Sequence, residues 1–272
     1  MNLNYKQNKS YGHELSDKNK MSARRRNVKD RLALLKKSGI FPPAEILEVG
    51  SHEGLFLKMA KEKGFGALGI EPNAHAARHA RADGIETIEG YFEESFDKVA
   101  GRQFDIVALF HVLEHVPDYA DCLSKIKSIL KPGGWLVLEV PNGKSYRAKK
   151  YGNDWMYFYE EHLHDFSPER LKKELGWIGF EVASIYFRDF DCAHLSLRAL
   201  LDRLLPFKFR GMNVKIRNQI KEEISSVQDT ENFRNKSRDI RFFLMPIKVF
   251  LAFCVKILKR GDFIMVVARK NN

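Results

Sequence analysis

A doubly wound, mostly parallel α/β sheet is the fold this sequence predicts, and three observations predict it. The first is the stretch I-L-E-V-G-S-H-E-G at residues 46–54. Three apolar residues and one acid make a short buried strand, Gly50 breaks it, and Gly54 opens an amphipathic run ended by Gly64. Strand, glycine turn and helix begin a βαβ unit. The second is that strands and helices go on alternating along the chain, which implies parallel strands joined by crossover helices. The third is F-D-I-V-A-L-F at residues 104–110, nearly all apolar, as expected of a strand covered on both faces.

Each element follows in order. Residues 1–20 are polar and expected to be poorly ordered. A helix is expected from about Ser22, with Val28, Leu32, Leu34 and Leu35 on its apolar side and Arg24, Arg25 and Arg26 exposed. Pro42 and Pro43 separate it from the first strand. Residues 67–70 form the second strand, which ends in an acid, Glu71. An acid there accepts hydrogen bonds from ribose hydroxyls in nucleoside-binding folds. A helix through about Ala82 and a third strand at 85–88 come next. The 104–110 strand is the fourth. A helix carrying Leu123, Ile126, Ile129 and Leu130 is stopped by Lys131-Pro132-Gly133-Gly134, and residues 135–140 are the fifth strand. An aromatic loop, Trp155-Met156-Tyr157-Phe158-Tyr159, runs into Glu160-Glu161-His162-Leu163-His164-Asp165-Phe166. Ser167-Pro168-Glu169 caps a helix. A sixth strand begins near Gly179, and residues 263–268 close the sheet as the seventh. Four regions are expected: a basic arm and helix at 1–40, the sheet core at 41–192, a basic helical insertion at 193–261, and the last strand and tail at 262–272.

Charge is unevenly placed. Residues 1–40 carry +8, residues 41–192 carry −7 and residues 193–272 carry +10. Basic flanks around an acidic centre suit an anionic partner, either a membrane surface or nucleic acid, with nucleic acid the weaker expectation. Residues 242–258 are strongly apolar but short for a membrane span, and they hold Pro246, Lys248 and Lys256. A surface-lying helix, meeting anionic lipid through residues 242–260, and a helix buried against the sheet or a second copy are the two alternatives. Three widely spaced cysteines, Cys122, Cys192 and Cys254, argue against a disulfide framework and fit a reducing compartment. The start of the chain has no apolar run of the kind that directs secretion. The expected location is the cytoplasm, with peripheral contact at the inner face of the membrane.

Several motifs compete for the function. Gly50-x-x-x-Gly54 has His52 where a dinucleotide-binding fingerprint has its middle glycine, which disfavours a dehydrogenase. Gly143-Lys144-Ser145 lacks the first glycine of a phosphate-binding loop, since that position is Leu138. His111-Val-Leu-Glu-His115 matches a zinc-peptidase pattern, but Pro117 argues against the continuous helix that those ligands require, and no metal site is expected.

E-V-G-x-x-x-G, the acid ending strand two, F-D-I-V-x-x-x-H-V-L-E-H-V-P-D, L-K-P-G-G and V-P-N occur in order. In that order they resemble the class I S-adenosylmethionine-dependent methyltransferases, over about residues 25–185 and the last strand. The segment Y-E-E-H-L-H-D-F-S is similar to the branch that methylates small molecules such as sugars and quinone-type phenols. The resemblance implies a Rossmann-like sheet and S-adenosylmethionine as cofactor. It places Glu48, Gly50 and Gly54 near the methionine portion and Glu71 on the ribose. Phe92 and Glu93 would flank the adenine, and Phe110 and His111 would form the floor near the sulfonium. One departure is His52, which stands where the family commonly has glycine. Its side chain crowds the loop, reaches the cofactor carboxylate or points outward; if it blocks the pocket, the chain is a catalytically silent binding module. The acceptor side is expected at His162 as general base, oriented by Glu161 or Asp165, with Tyr159 touching the acceptor. Glu114 and His115 are expected to close the strand-to-helix turn. The acceptor implied is a small molecule, a sugar or a lipid-linked glycan precursor. RNA, reached through the basic flanks, is the alternative.

Overall fold

The computed structural model describes residues 18–155, 157, 161–188 and 261–271. The expected basic insertion at 193–261, apart from Gly261 but including its apolar stretch, lies outside them, as do Cys192, Cys254, Tyr159 and most of the polar N-terminal arm. Among the described residues no helix is long and apolar enough to cross a membrane.

Seven strands form one sheet in the order β3-β2-β1-β4-β5-β7-β6. They are β1 (Glu45–Val49), β2 (Gly66–Glu71), β3 (Glu86–Glu89), β4 (Phe104–Phe110), β5 (Leu130–Pro141), β6 (Phe180–Arg188) and β7 (Phe263–Lys270). The helices are α1 (Lys18–Lys37), α2 (Leu55–Lys61), α3 (Ala74–Ala82), α4 (Phe92–Ser95), α5 (Tyr119–Ile129), α6 (Tyr146–Tyr151) and α7 (Pro168–Ile178). β1 pairs in parallel with β2 and β4, and β4 with β5, whereas β7 runs antiparallel between β5 and β6. β5 starts earlier than the sequence suggests. Leu130 already pairs with Phe104, and a bulge between Phe104 and Ile106 absorbs the Lys131-Pro132-Gly133-Gly134 corner.

The period of two in the strands fills both faces. Leu47, Val107, Leu109, Leu136, Leu138, Ile264 and Val266 enter one core, with Leu123 and Ile126 of α5 and Leu171 of α7. Ile46, Ile106, Ala108, Val137, Met265 and Val267 enter the other, with α1 and α2. Val28, Leu32, Leu34 and Leu35 of α1 are buried there, as their spacing predicts. Polar side chains cap the helices: Asn73 accepts from the amides of His75 and Ala76, and Ser167 accepts from that of Arg170.

Strand order reverses between β1 and β4, because β1 leads outward to β2 and β3, and the chain then returns to β4. In an open α/β sheet, the crevice at the carboxyl ends of the strands on either side of such a reversal receives the ligand. Both motif-bearing turns, after β1 and after β4, lie there.

Candidate active site

The turn after β1 is made by its backbone. Gly50 and Gly54 have φ of 72° and 71°, a region that favours glycine. A side chain on Gly50 would also collide with Val112 from the turn after β4, and one on Gly54 would press on Ala80 of α3. His52 adopts φ 51° as well, which gives a physical reason for a glycine there. Its side chain is occupied: Nδ1 lies 3.1 Å from the Arg24 guanidinium, which also pairs with Glu53 at 2.9 Å. Arg24, expected on the exposed part of α1, is instead half-buried by this contact.

Glu71 is fixed by the same turn. Its Oε2 accepts from the His52 amide at 2.7 Å and its Oε1 from the Asn73 amide at 2.8 Å. Burial raises its pKa, and these two amides partly counter that. Glu48 sits one strand away, with Oε2 and the neighbouring Ser51 hydroxyl buried and without a hydrogen-bond partner. Burial, helped by the Glu71 charge and opposed by Arg31, pushes the Glu48 carboxyl up to about 8. Unpartnered acceptors beside a glycine turn fit a ligand that brings a cation and hydroxyls.

The remaining residues expected at the cofactor divide. Phe110 is buried, edge-on to Phe56 at 4.9 Å, with the Arg31 guanidinium 3.9 Å above its ring. Phe92 is 3% exposed and packs against Phe96 within the core, so its ring faces inward, whereas Glu93 is exposed. Tyr91, one residue earlier, is the aromatic ring at the surface of this turn.

Sequence reasoning did not single out Glu139, at the end of β5. It is buried, yet it meets Arg31 at 2.7 Å and Arg188 at 3.0 Å. Burial pushes its carboxyl up, but Arg31, His111 and Arg188 more than offset that, leaving it below its ordinary value. Arg188 also reaches Asn27 and Asp30, so this cluster ties α1 to the sheet. No signal in a single sequence joins positions so far apart.

The turn after β4 has a second left-handed residue, His111, at φ 59°. Its amide donates to the Glu139 carbonyl, and its ring stands edge-on to Phe263 at 4.7 Å. Leu113–His115 form a single 3₁₀ turn, not the helix that a zinc-peptidase motif needs. The 161–166 segment docks on this turn. The Leu163 amide donates to the Glu114 carbonyl at 2.9 Å, the His115 ring bonds the Glu161 carbonyl at 2.9 Å, and the His164 ring bonds the Val116 carbonyl at 2.9 Å. Thus the two histidine-bearing motifs form one wall. His162 belongs to it, with Nδ1 2.7 Å from the Tyr157 carbonyl and its ring edge-on to His115. At Nδ1 a main-chain carbonyl therefore takes the orienting role expected of Glu161 or Asp165. Burial lowers the His162 pKa, keeping the ring neutral near neutral pH. Glu114, expected to be structural, is fully buried with both carboxylate oxygens lacking a hydrogen-bond partner.

Comparison with known proteins follows the same lines. Residues 20–185 match the model of a methyltransferase-domain family. A ubiquinone biosynthesis O-methyltransferase from Aeromonas salmonicida is 29% identical over 171 residues, covering 58% of this chain and 69% of that one. Another from Dinoroseobacter shibae is 31% identical over 158 residues, covering 54% and 64%. Others are matched over about half their length. Among solved structures, a SAM-dependent methyltransferase from Archaeoglobus fulgidus superimposes with TM-score 0.56 at 19% identity, over 90% of this chain and 94% of that one. One from Thermotoga maritima gives 0.52 at 19% identity, over 92% and 97%. With more than half of its length matched, and with a glycine turn and acids that fit the cofactor, the chain belongs to the methyltransferase-domain family, the class I S-adenosylmethionine-dependent methyltransferases.

Proposed function

We propose that this chain methylates an oxygen of a small-molecule acceptor. The observation that carries the reading is the wall formed by His111, Glu114, His115 and His162 beside the reversal of strand order, with Val112 of the same turn against Gly50 of the β1 turn. When bound, S-adenosylmethionine supplies an already electrophilic methyl group. The protein then has to hold the acceptor in line and exclude water. Gly50 and Gly54 would let the methionine portion approach the backbone, Glu48 would face its ammonium group, and Glu71 would take the ribose hydroxyls. A hydroxyl acceptor must also shed a proton, and the imidazoles of His111 and His162 are the groups placed to take it. The curated relatives named as O-methyltransferases support the oxygen, and the histidine-rich loop supports a compact acceptor such as a phenol or a sugar hydroxyl. Of the basic flanks that favour RNA or an anionic membrane, the C-terminal one lies outside the described residues apart from its end, whereas most cations of the N-terminal one are on α1.

Calorimetric titration with S-adenosylhomocysteine, followed by a labelled-methyl screen over phenols, sugars, RNA and protein, tests this. Wild type is expected to bind S-adenosylhomocysteine, and Glu71→Ala to bind it roughly 100-fold more weakly, because charge-assisted hydrogen bonds are lost. Label is expected in a phenol or sugar. Transfer confined to RNA or protein would overturn the acceptor reading.

A further inference from the structure

Among the described residues, Glu114, His115 and His162 each bring one ligand atom within 4.8 Å of the others. We infer that these three residues form a binding site for a divalent transition-metal ion of the zinc class. Three features point to it. Glu114 is 1% exposed, and neither of its carboxylate oxygens has a hydrogen-bond partner. Among the described residues, the basic group paired with it is the His111 ring, whose Nδ1 lies 3.5 Å away, beyond hydrogen-bonding range. A carboxylate so enclosed requires a positive charge beside it, and a bound cation supplies one.

The second feature is the tautomer of the two rings. Nδ1 of His115 faces the Glu161 carbonyl and Nδ1 of His162 faces the Tyr157 carbonyl, at 2.9 and 2.7 Å. A carbonyl oxygen only accepts, so Nδ1 carries the proton in each ring. In a neutral ring this leaves Nε2 as the ligand atom, and a main-chain carbonyl behind Nδ1 is the usual device that aims a metal-binding histidine. The third feature is rigidity. The two segments are clasped by Leu163 on Glu114, and the rings stand edge-on with centroids 4.6 Å apart.

Two imidazoles and one carboxylate suit zinc, cobalt, nickel or iron better than magnesium or calcium, which prefer oxygen. Three protein ligands also leave coordination positions open, the pattern of catalytic sites. On the small-molecule reading above, an acceptor hydroxyl would take an open position and lose its proton more readily there. His162 then acts as a ligand, and His111, 3.5 Å from Glu114, is placed to carry the proton away. That role rests on the acceptor reading; the site itself does not.

The test uses the full chain, freed of any affinity tag and stripped with chelator. Co2+ is titrated by visible absorption and Zn2+ by calorimetry, in wild type, Glu114→Gln and His162→Gln. One equivalent of Co2+ with a saturable visible band is expected in wild type, and about 100-fold weaker binding in each variant, of the size that loss of a metal-site interaction causes. Melting curves check folding, and His162→Gln, on a half-buried loop, serves if Glu114→Gln does not fold. No saturable band in wild type, or equal binding in a folded variant, would overturn the site. S-adenosylhomocysteine titration in parallel separates this failure from failure of the methyltransferase reading.

Discussion

The two sides of the cleft are built differently. On the β1–β2 side the working groups are backbone conformations and short-range contacts: Gly50, Gly54, and Glu71 held by the amides of His52 and Asn73. On the β4–β5 side they are side chains drawn from distant segments: Glu139 with Arg31 and Arg188, and the 113–116 turn with the 161–164 loop. Positive φ and an acid at a strand end leave a mark within a few residues of sequence. A contact between residues 46 or 108 apart leaves none in a single chain. The first side is written locally, whereas the second is assembled from loops and distant strands.

The largest expected effect lies where the second mode is most concentrated. Glu139→Ala strands two guanidinium groups at a buried position and should lower stability to urea by about 3–5 kcal/mol. The sign with pH follows from the direction of its shift. Because the folded pKa lies below the ordinary 4.5, the contribution is present above that value and is lost as pH falls through the folded pKa. A loss below 1 kcal/mol would show that α1 is held by its apolar face alone.

Next comes Gly50→Ala, which probes the backbone mode. The added carbon meets Val112 and strains a φ of 72°, and such strain costs about 1–3 kcal/mol. Weaker S-adenosylhomocysteine binding is expected together with a lower melting temperature. Unchanged affinity would mean that the turn relaxes without touching the cofactor, and the contrast between the two sides would lose its first half.

Glu48 sharpens the comparison, since it belongs to the local side yet takes its properties from burial. Its carboxyl, pushed up to about 8, is protonated at neutral pH. Its contribution to stability is therefore full below the ordinary 4.5 and is lost as pH rises through about 8. A cofactor ammonium placed against it favours the ionised form, so binding should release a proton. Affinity should rise with pH toward 8, by at most about tenfold per unit. Calorimetry in buffers of different ionisation heat measures the proton directly. Equal heats in all buffers would remove Glu48 from the ammonium site.

Much of the fold was legible for the same reason that the local side was. The apolar runs of β1 and β4 and the glycine and proline stops located most strands within a residue or two. The exceptions have causes. The beginning of β5 is paired across a bulge, which no period reveals. Phe92, which the resemblance places beside the adenine, packs in the core. Arg24 looks solvated until the β1 turn supplies Glu53 and His52. Glu114 was the hardest to read. Its importance lies in what it fails to contact, and only the packed structure shows that.

The smallest effect belongs to the latch between the two histidine motifs. The His164 ring bonds the Val116 carbonyl and stands edge-on to Tyr119 at 4.7 Å. A net hydrogen bond is worth about 1 kcal/mol, so His164→Ala should open the loop about fivefold more often. Hydrogen exchange at residues 161–166 reads this, with the β1 turn as internal reference. Faster exchange there, with S-adenosylhomocysteine affinity unchanged, is what two independently built walls require. If cofactor affinity falls in step, the walls share their stability, and the acceptor side reaches across the cleft to help hold the cofactor.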